Sequence, residues 1–505
     1  MRLPHALTWL ALAAVLPAPW APAAVWDAND VQANTWIDSS GEGLDAFLVS
    51  TSPDTVDGVK VLNFSNGGYA LAPTTGDGWN ALTLYAEVYL VQTGYGWMGV
   101  ISRYNASDYD NAVFGLLHYW HNQVWKGDLR TANGHVMLST PTRTGWNYLG
   151  LTYDGAQLKL YLNGERVSTK PLTGLIASQP EIPLVIGNYS SKASWTSFAG
   201  RVAYAALYNT AQPDEFFAAR WRALLNQRSN LNFVFAEAND CHVNDTKSIE
   251  VVNDGVDGIN ANPDIKFSLW AGDLTFASEP LEMNLIYLGL NRLTRARYTI
   301  PGNHELVAGV YETYFGPRSY TFNYGRWKFI MLDDATEGIG PLPDSRLNWL
   351  RDRIAETDPN DPIVLCTHVP LSPSYQPPYR LPNADAVLAL FQGYNLKAVV
   401  SGHYHANRKE VVNGVLFTTT ATLSTTRENY DGTTARGYRE FYCYDDNDIA
   451  TIFVKVRDYP AVPSTPPSPP LPLPPPGDMR GDLNGDDVIN LIDLTILQST
   501  WLDHK

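Results

Sequence analysis

Residues 401–405 read SGHYH and follow the apolar run KAVV. Side chains of an extended segment alternate between faces, so this spacing predicts that His403 and His405 share one side while Tyr404 takes the other. Two neutral imidazoles in one small space suit a transition metal, whereas two solvated histidines in a turn would do no chemistry. The pair alone leaves both readings open. Four further apolar runs weigh on the choice, because each ends on a residue type that ligates metals. NFVFAEAND brings Asp240, with His242 two residues on, and IKFSLWAGD brings Asp273. RYTIPGNHE supplies Asn303 and His304, and IVLCTH supplies His368. Five of the ten histidines therefore stand where apolar runs end within one region, a clustering that unrelated core or loop histidines would not produce. Mixed imidazole and carboxylate donors favour manganese, iron, zinc, cobalt or nickel over calcium, which prefers oxygen alone.

The elements that must position these residues are legible as a pattern. Between residues 230 and 458, buried-strand runs such as NFVFA, IKFSLW, ARYTI, IVLC and KAVV alternate with amphipathic segments such as LEMNLIYLGLNRLTRA and DSRLNWLRDRIAE. That alternation predicts an α/β layered domain, and strand ends are where such sheets gather functional groups. Residues 25–226 read differently: short alternating runs such as ALTLYAEVYL and LKLYLNGERV, punctuated by Gly, Asn, Asp and Pro, predict an antiparallel sandwich. Its closing helix is predicted in QPDEFFAARWRALLNQ, with Pro213 early and Phe216, Phe217, Ala219, Leu224 and Leu225 near helical spacing.

A chain of 505 residues exceeds what one core can serve, so two to four domains are expected. Its formal charge of −16 opposes nonspecific attraction to nucleic acid or to an anionic membrane, but a bound divalent ion inverts the local field, so a phosphate substrate stays compatible. Cys241, Cys366 and Cys443 are too few and too scattered for a disulfide framework and read as packing residues. Residues 1–24 have an early arginine, an apolar stretch and small residues at Ala21, Ala23 and Ala24, the layout of a secretory signal peptide, and no later run is long enough to span a membrane; a secreted protein, free or associated with the cell surface, is expected. Ten prolines between Pro460 and Pro476 predict an extended linker over residues 459–477, reaching on the order of 50 Å.

The ordered series D-x-H, G-D, G-N-H-E, H and G-H-x-H resembles the calcineurin-like metallophosphoesterase family over nearly all of residues 230–458. The resemblance implies a four-layer αββα fold and two metal ions of divalent or trivalent charge. One would be held by Asp240, His242, Asp273 and His405, the other by Asp273, Asn303, His368 and His403, with Asp273 shared. It further implies a phosphoester substrate, mono- or diester, attacked by a bridging hydroxide. Asn303 and His304 would contact that substrate, and His304 would stabilise the transition state or protonate the departing oxygen. Glu305 would fix the turn or orient a ligand. The sequence departs from the family's protein phosphatases at GDLTFAS, where Phe276 replaces the acid that orients the histidine. Arg408 and Arg436 are the arginines near the last motif that could meet phosphate.

The first region resembles a laminin G-like, concanavalin A-type jelly roll, with hairpin turns at Asp154-Gly155 and Asn163-Gly164. That likeness implies a glycan or protein ligand. Residues 478–505 contain GDLNGDDVINLIDLTILQSTW, which places Asp482, Asn484, Asp486, the Val488 carbonyl, Asn490 and Asp493 as a calcium loop. It resembles half a dockerin, which implies a cohesin-type partner, although Asp487 stands where glycine eases the turn and one repeat occurs where a dockerin has two. The competing expectation for the whole chain is a non-catalytic binding scaffold with a vestigial phosphoesterase domain.

Overall fold

The computed structural model describes residues 22–459 apart from 65–66, 92–95, 106–107, 143, 191–195, 306–308 and 336–338. The expected signal peptide (but for its last three residues), the linker beyond residue 459 and the calcium loop lie outside the described residues. The chain divides into two compact units between Leu231 and Asn232.

In the first unit sixteen strands share one hydrogen-bonded sheet whose path runs from Gly134–Pro141 at one end to Glu165–Pro171 at the other. Leu84, Leu149 and Leu151 at one end of the path share a core with Phe114, Leu116, Trp125 and Leu129 at the other. Gly127 shows how close the two layers come, since a Cβ there would lie 2.4 Å from the Leu151 side chain. The expected sandwich is thus present, but its layers belong to one continuous path bent over on itself. Asn163 and Gly164 turn the hairpin between Gln157–Leu162 and Glu165–Pro171 with φ of 50° and 81°, the left-handed pair that a two-residue turn requires.

The closing helix spans Asp214–Gln227 and buries Phe216, Phe217, Trp221 and Leu225. Its stripe therefore advances in steps of four from Phe217 and takes in Trp221. Ala219, expected on that face, is exposed, because two residues on from Phe217 a helix has turned away from the sheet. Phe217 stacks on Tyr161 at 3.9 Å between centroids and closes over Gly150, where a Cβ would sit 2.2 Å from its ring.

The second unit has two sheets. In the first, Ala296–Ile300, Ile265–Ala271 and Leu231–Ala238 run parallel and continue into the hairpin Ala435–Tyr444 and Ile449–Asp458. In the second, the parallel strands Trp327–Met331, Pro362–Thr367, Asn395–Ser401 and Val415–Thr419 are edged by antiparallel Tyr320–Tyr324 and Arg408–Val412. The sheets face each other across Phe235, Phe267, Phe329, Phe441, Cys366 and Cys443. Strands covered on both faces read as unbroken apolar runs, which is why the sequence showed no alternation here. Helices Asp344–Ala355 and Ala384–Ala389 cover the outer face of the six-stranded sheet through Leu350, Ile354, Ala384 and Val387. Helix Ile249–Ala261 covers the other sheet, with Gly258 against Tyr438. The order is helix, sheet, sheet, helix, the expected four layers. All three cysteines are buried and free.

Candidate metal centre

Each chemically competent residue lies just past the carboxyl end of a parallel strand. Asp240 and His242 follow Leu231–Ala238, Asp273 follows Ile265–Ala271, Asn303 and His304 follow Ala296–Ile300, His368 follows Pro362–Thr367, and His403 and His405 follow Asn395–Ser401. The loops that carry them are strained. Thirteen non-glycine residues among those described have left-handed φ, and Asp240, His242, Asp273, His403 and His405 are five of them, with values from 43° to 62°. Each such residue costs on the order of 1 kcal/mol or more, a cost the surrounding packing must offset.

This geometry corrects the argument from strand alternation. The strand stops at Ser401, and His403 and His405 are aimed by left-handed backbone rather than by the pleat. The two imidazoles therefore diverge. His405 joins Asp240, His242 and Asp273, while His403 joins Asp273 and His368, the donor atoms of each group lying within 4.8 Å of one another. Asp273 belongs to both: its Oδ2 is 3.5 Å from His242 Nε2 and its Oδ1 is 3.4 Å from His368 Nε2. Asn303 completes the second group, with Oδ1 3.1 Å from His368 Nε2.

The donor set fits a pair of cations. Asp240 Oδ2 is buried without a hydrogen-bond partner, an arrangement that costs several kcal/mol unless a positive charge meets it. His242 Nε2 and His405 Nε2 face each other at 3.2 Å, and His405 Nε2 is 3.4 Å from Asp240 Oδ1. The loops pack so tightly that a Cβ on Gly302 would lie 2.2 Å from Asp273 Oδ1. Outer contacts hold the donors in place. His368 Nδ1 is 2.8 Å from the Ala271 carbonyl, the His304 N–H donates to Asp273 Oδ1 at 2.8 Å, and the His403 N–H donates to Asp240 Oδ1 at 3.2 Å. Glu305 accepts from the N–H groups of Thr275 and Gly302 and so fixes the turn that carries Asn303.

Electrostatics separates the donors. Burial opposes charge on the Asp273 carboxyl, yet His368, His242 and His304 hold it well below the usual carboxylate range. Burial likewise opposes charge on His368, but Asp273 and Asp240 raise it to about 10. Burial pushes His242 well down despite Asp273, and burial with His368 pushes His403 to about 4. His242 and His403 thus present lone pairs at neutral pH, and a metal binding at His368 must displace a proton.

His304 is set apart from the ligand groups. Its Nδ1 lies 2.5 Å from the Phe276 carbonyl oxygen and its ring meets that of His242 at 4.6 Å. Phe276, read from the sequence as the loss of an orienting acid, supplies a backbone acceptor instead. At the other nitrogen, Nε2, the guanidinium of Arg427 donates from 3.2 Å. That pairing makes Nδ1 the protonated nitrogen. Sequence reasoning missed Arg427, which sits in the polar stretch STTRENY with no motif to mark it. The two arginines it named do other things. Arg436 is buried and donates to the carbonyls of Ser424, Thr434, Ala435 and Arg427, anchoring the loop on which Arg427 rides. Arg408 is exposed and lies over the Tyr404 ring at 5.0 Å. A cavity of 810 Å³ beside Leu388, Phe391 and Val412 contains none of these residues.

Comparisons with known proteins bear on the class of each unit. Residues 233–407 match the family model described as Calcineurin-like phosphoesterase, and residues 64–215 match the one described as Concanavalin A-like lectin/glucanases superfamily. A 3',5'-cyclic-nucleotide phosphodiesterase of Nostoc sp. is 28% identical over 152 residues, which cover 28% of this chain and 57% of that protein. The 3',5'-cyclic adenosine monophosphate phosphodiesterase CpdA of Escherichia coli K12 is 26% identical over 182 residues, covering 33% of this chain and 66% of that protein. The chain thus spans less than two thirds of the length of either relative. Among the described residues no helix is long and apolar enough to cross a membrane. The strand-end donors of the second unit all lie within residues 233–407, the stretch that matches the calcineurin-like phosphoesterase model, which follows the stretch 64–215 that matches the concanavalin A-like one.

Proposed function

We propose that the chain hydrolyses phosphoesters, with Asp240, His242, Asp273 and His405 holding one metal ion and Asp273, Asn303, His368 and His403 the other. Two such ions supply Lewis-acid polarisation of a phosphoryl oxygen and a water acidified toward neutrality. The rest is the work of side chains. Asp273 sets the spacing of the two groups because each of its oxygens faces a different one, and this is the observation that carries the reading. His304 is held at Nδ1 by the Phe276 carbonyl, and its Nε2 can carry a proton to the departing oxygen once Arg427 turns from that nitrogen to a phosphoryl oxygen. Arg427 adds a fixed positive charge beside that nitrogen and suits a nonbridging phosphoryl oxygen. The named activities of the two relatives favour phosphodiesters over monoesters.

The test is release of 4-nitrophenolate from mono- and bis(4-nitrophenyl) phosphate by the full chain with added manganese, alongside metal analysis. Turnover with two ions per chain is expected. No turnover under any divalent ion, with no metal bound, would overturn the reading in favour of a binding scaffold. The proposal extends to export directed by residues 1–24 and to a calcium loop over residues 482–493 that meets a cohesin-type partner. Calcium titration of the full chain, with Asp482→Ala as control, tests the loop: an unchanged titration would remove it.

A further inference from the structure

The rim of the metal centre is uneven. Asp240, His242, Asp273, His368 and His405 are buried, whereas Asn303, His304 and His403 are half-buried, so the centre opens along these three. One end of the opening is cationic, where Arg427 meets His304. The other is aromatic. Tyr430 lies parallel to the His405 ring within 6° at 5.4 Å, Tyr379 is 5.4 Å from Tyr430, and Tyr379 is 6.2 Å from His403. The rings run in order His304, His242, His405, Tyr430, Tyr379, with neighbouring centroids 4.6, 5.1, 5.4 and 5.4 Å apart. Tyr430 is 54% exposed, yet it is not loose, because its N–H donates to the His405 carbonyl at 2.9 Å. A lone exposed aromatic ring is unremarkable on any protein surface. Two adjoining rings that rest against candidate metal ligands, inclined to each other by 55°, form an apolar corner beside the place a phosphorus atom must occupy, with the exposed Tyr430 ring as its open face.

We propose that Tyr379 and Tyr430 form a stacking subsite for a planar ring carried by the ester substituent that stays on phosphorus. The inference rests on the phosphoesterase reading above. A departing oxygen drawn toward His304 leaves the retained substituent at the opposite end of the row, over the tyrosines. Phenol faces accept any planar ring through dispersion and apolar burial, without reading its edges. The substrate class is therefore a phosphodiester whose retained group is aryl or nucleoside; a small alkyl group gains nothing there.

Kinetics on bis(4-nitrophenyl) phosphate and methyl 4-nitrophenyl phosphate test this, because both expel 4-nitrophenolate and differ only in the retained group. The metal-loaded full chain should show a KM lower for the aryl diester by roughly 5- to 100-fold, the range expected for one stacked ring. Tyr379→Ala and Tyr430→Ala should bring the ratio of the two KM values toward one, and Tyr430→Phe should keep it. Metal content measured on every variant separates this from a lost ion. Equal KM values in the wild type, or an undiminished ratio in both alanine variants at full metal content, overturn the subsite while leaving the phosphoesterase reading intact. No turnover of either ester by metal-loaded protein overturns that reading and the subsite with it.

Discussion

In the first unit the buried guanidinium of Arg103 donates to the carbonyls of Thr75, Gln179 and Ile182 and to both oxygens of Asp77. In the second unit Asp240 buries an oxygen that accepts no hydrogen bond from the described residues, and the imidazoles of His242 and His405 point their nitrogens at one another. Both groups bury charge, but Arg103 is met on every side by acceptors and the donor cluster is not. A saturated charge such as Arg103 ties loops together and adds rigidity. An unsaturated cluster, held on strained backbone and packed by glycines, makes sense when its missing partner is a ligand. Burial alone does not mark the site, since Arg103 and Asp273 are almost equally inaccessible; the convergence of unsatisfied donors on one place does.

The strongest way to break the comparison is at the residue both groups share. Asp273→Asn should reduce bound metal below two ions per chain and lower phosphoester turnover by at least on the order of 10²-fold, since even an outer partner of a metal ligand is worth that much. Full occupancy, read by metal analysis of the purified variant, would show that Asp273 does not bridge. His304→Ala comes next, with kcat lowered roughly 10²- to 10⁴-fold and metal content unchanged. Metal loss there would contradict its place outside the ligand groups.

Two smaller effects sharpen the other side. Glu87 is buried in the first unit and accepts from the Tyr85 hydroxyl at 2.9 Å; burial pushes its carboxyl up to about 7 against the pull of Arg220. Its folded pKa exceeds the unfolded value, so its contribution is fully present below about pH 4 and is lost as pH rises through 7. Relative to Glu87→Gln, the wild type should lose at most about 3 kcal/mol between pH 5 and 8, measured by denaturation of both at each pH. A gap that does not change with pH would mean Arg220 keeps Glu87 ionised throughout. Asp77→Ala should cost about 2 kcal/mol, because Arg103 keeps three carbonyls and loses one carboxylate that is itself partly exposed. Bound metal should not change; if it fell with Asp77, the contrast between saturated and unsaturated charge would lose its meaning.

Much of the second unit was legible because its parallel strands are covered on both faces and end on polar residues, a pattern that survives in one dimension. The closing helix was legible in extent but not in face. Ala219 fits a loose apolar count, and only the position of the sheet shows that Phe217, Trp221 and Leu225 are the stripe. Arg427 was illegible for a related reason. It lies twenty-two positions beyond His405, and its approach to His304 depends on a loop pinned by Arg436.

The sequence by itself determined the kinds of donor and their order along the chain, because strand ends must carry whatever chemistry a layered sheet offers. Only the tertiary structure decided which donors meet. His403 and His405 are neighbours in the chain, but left-handed backbone sends them to different groups, and the two oxygens of Asp273 then join those groups. Spacing along a chain encodes side-chain direction only while the backbone stays regular, and the residues that make this site are where it does not.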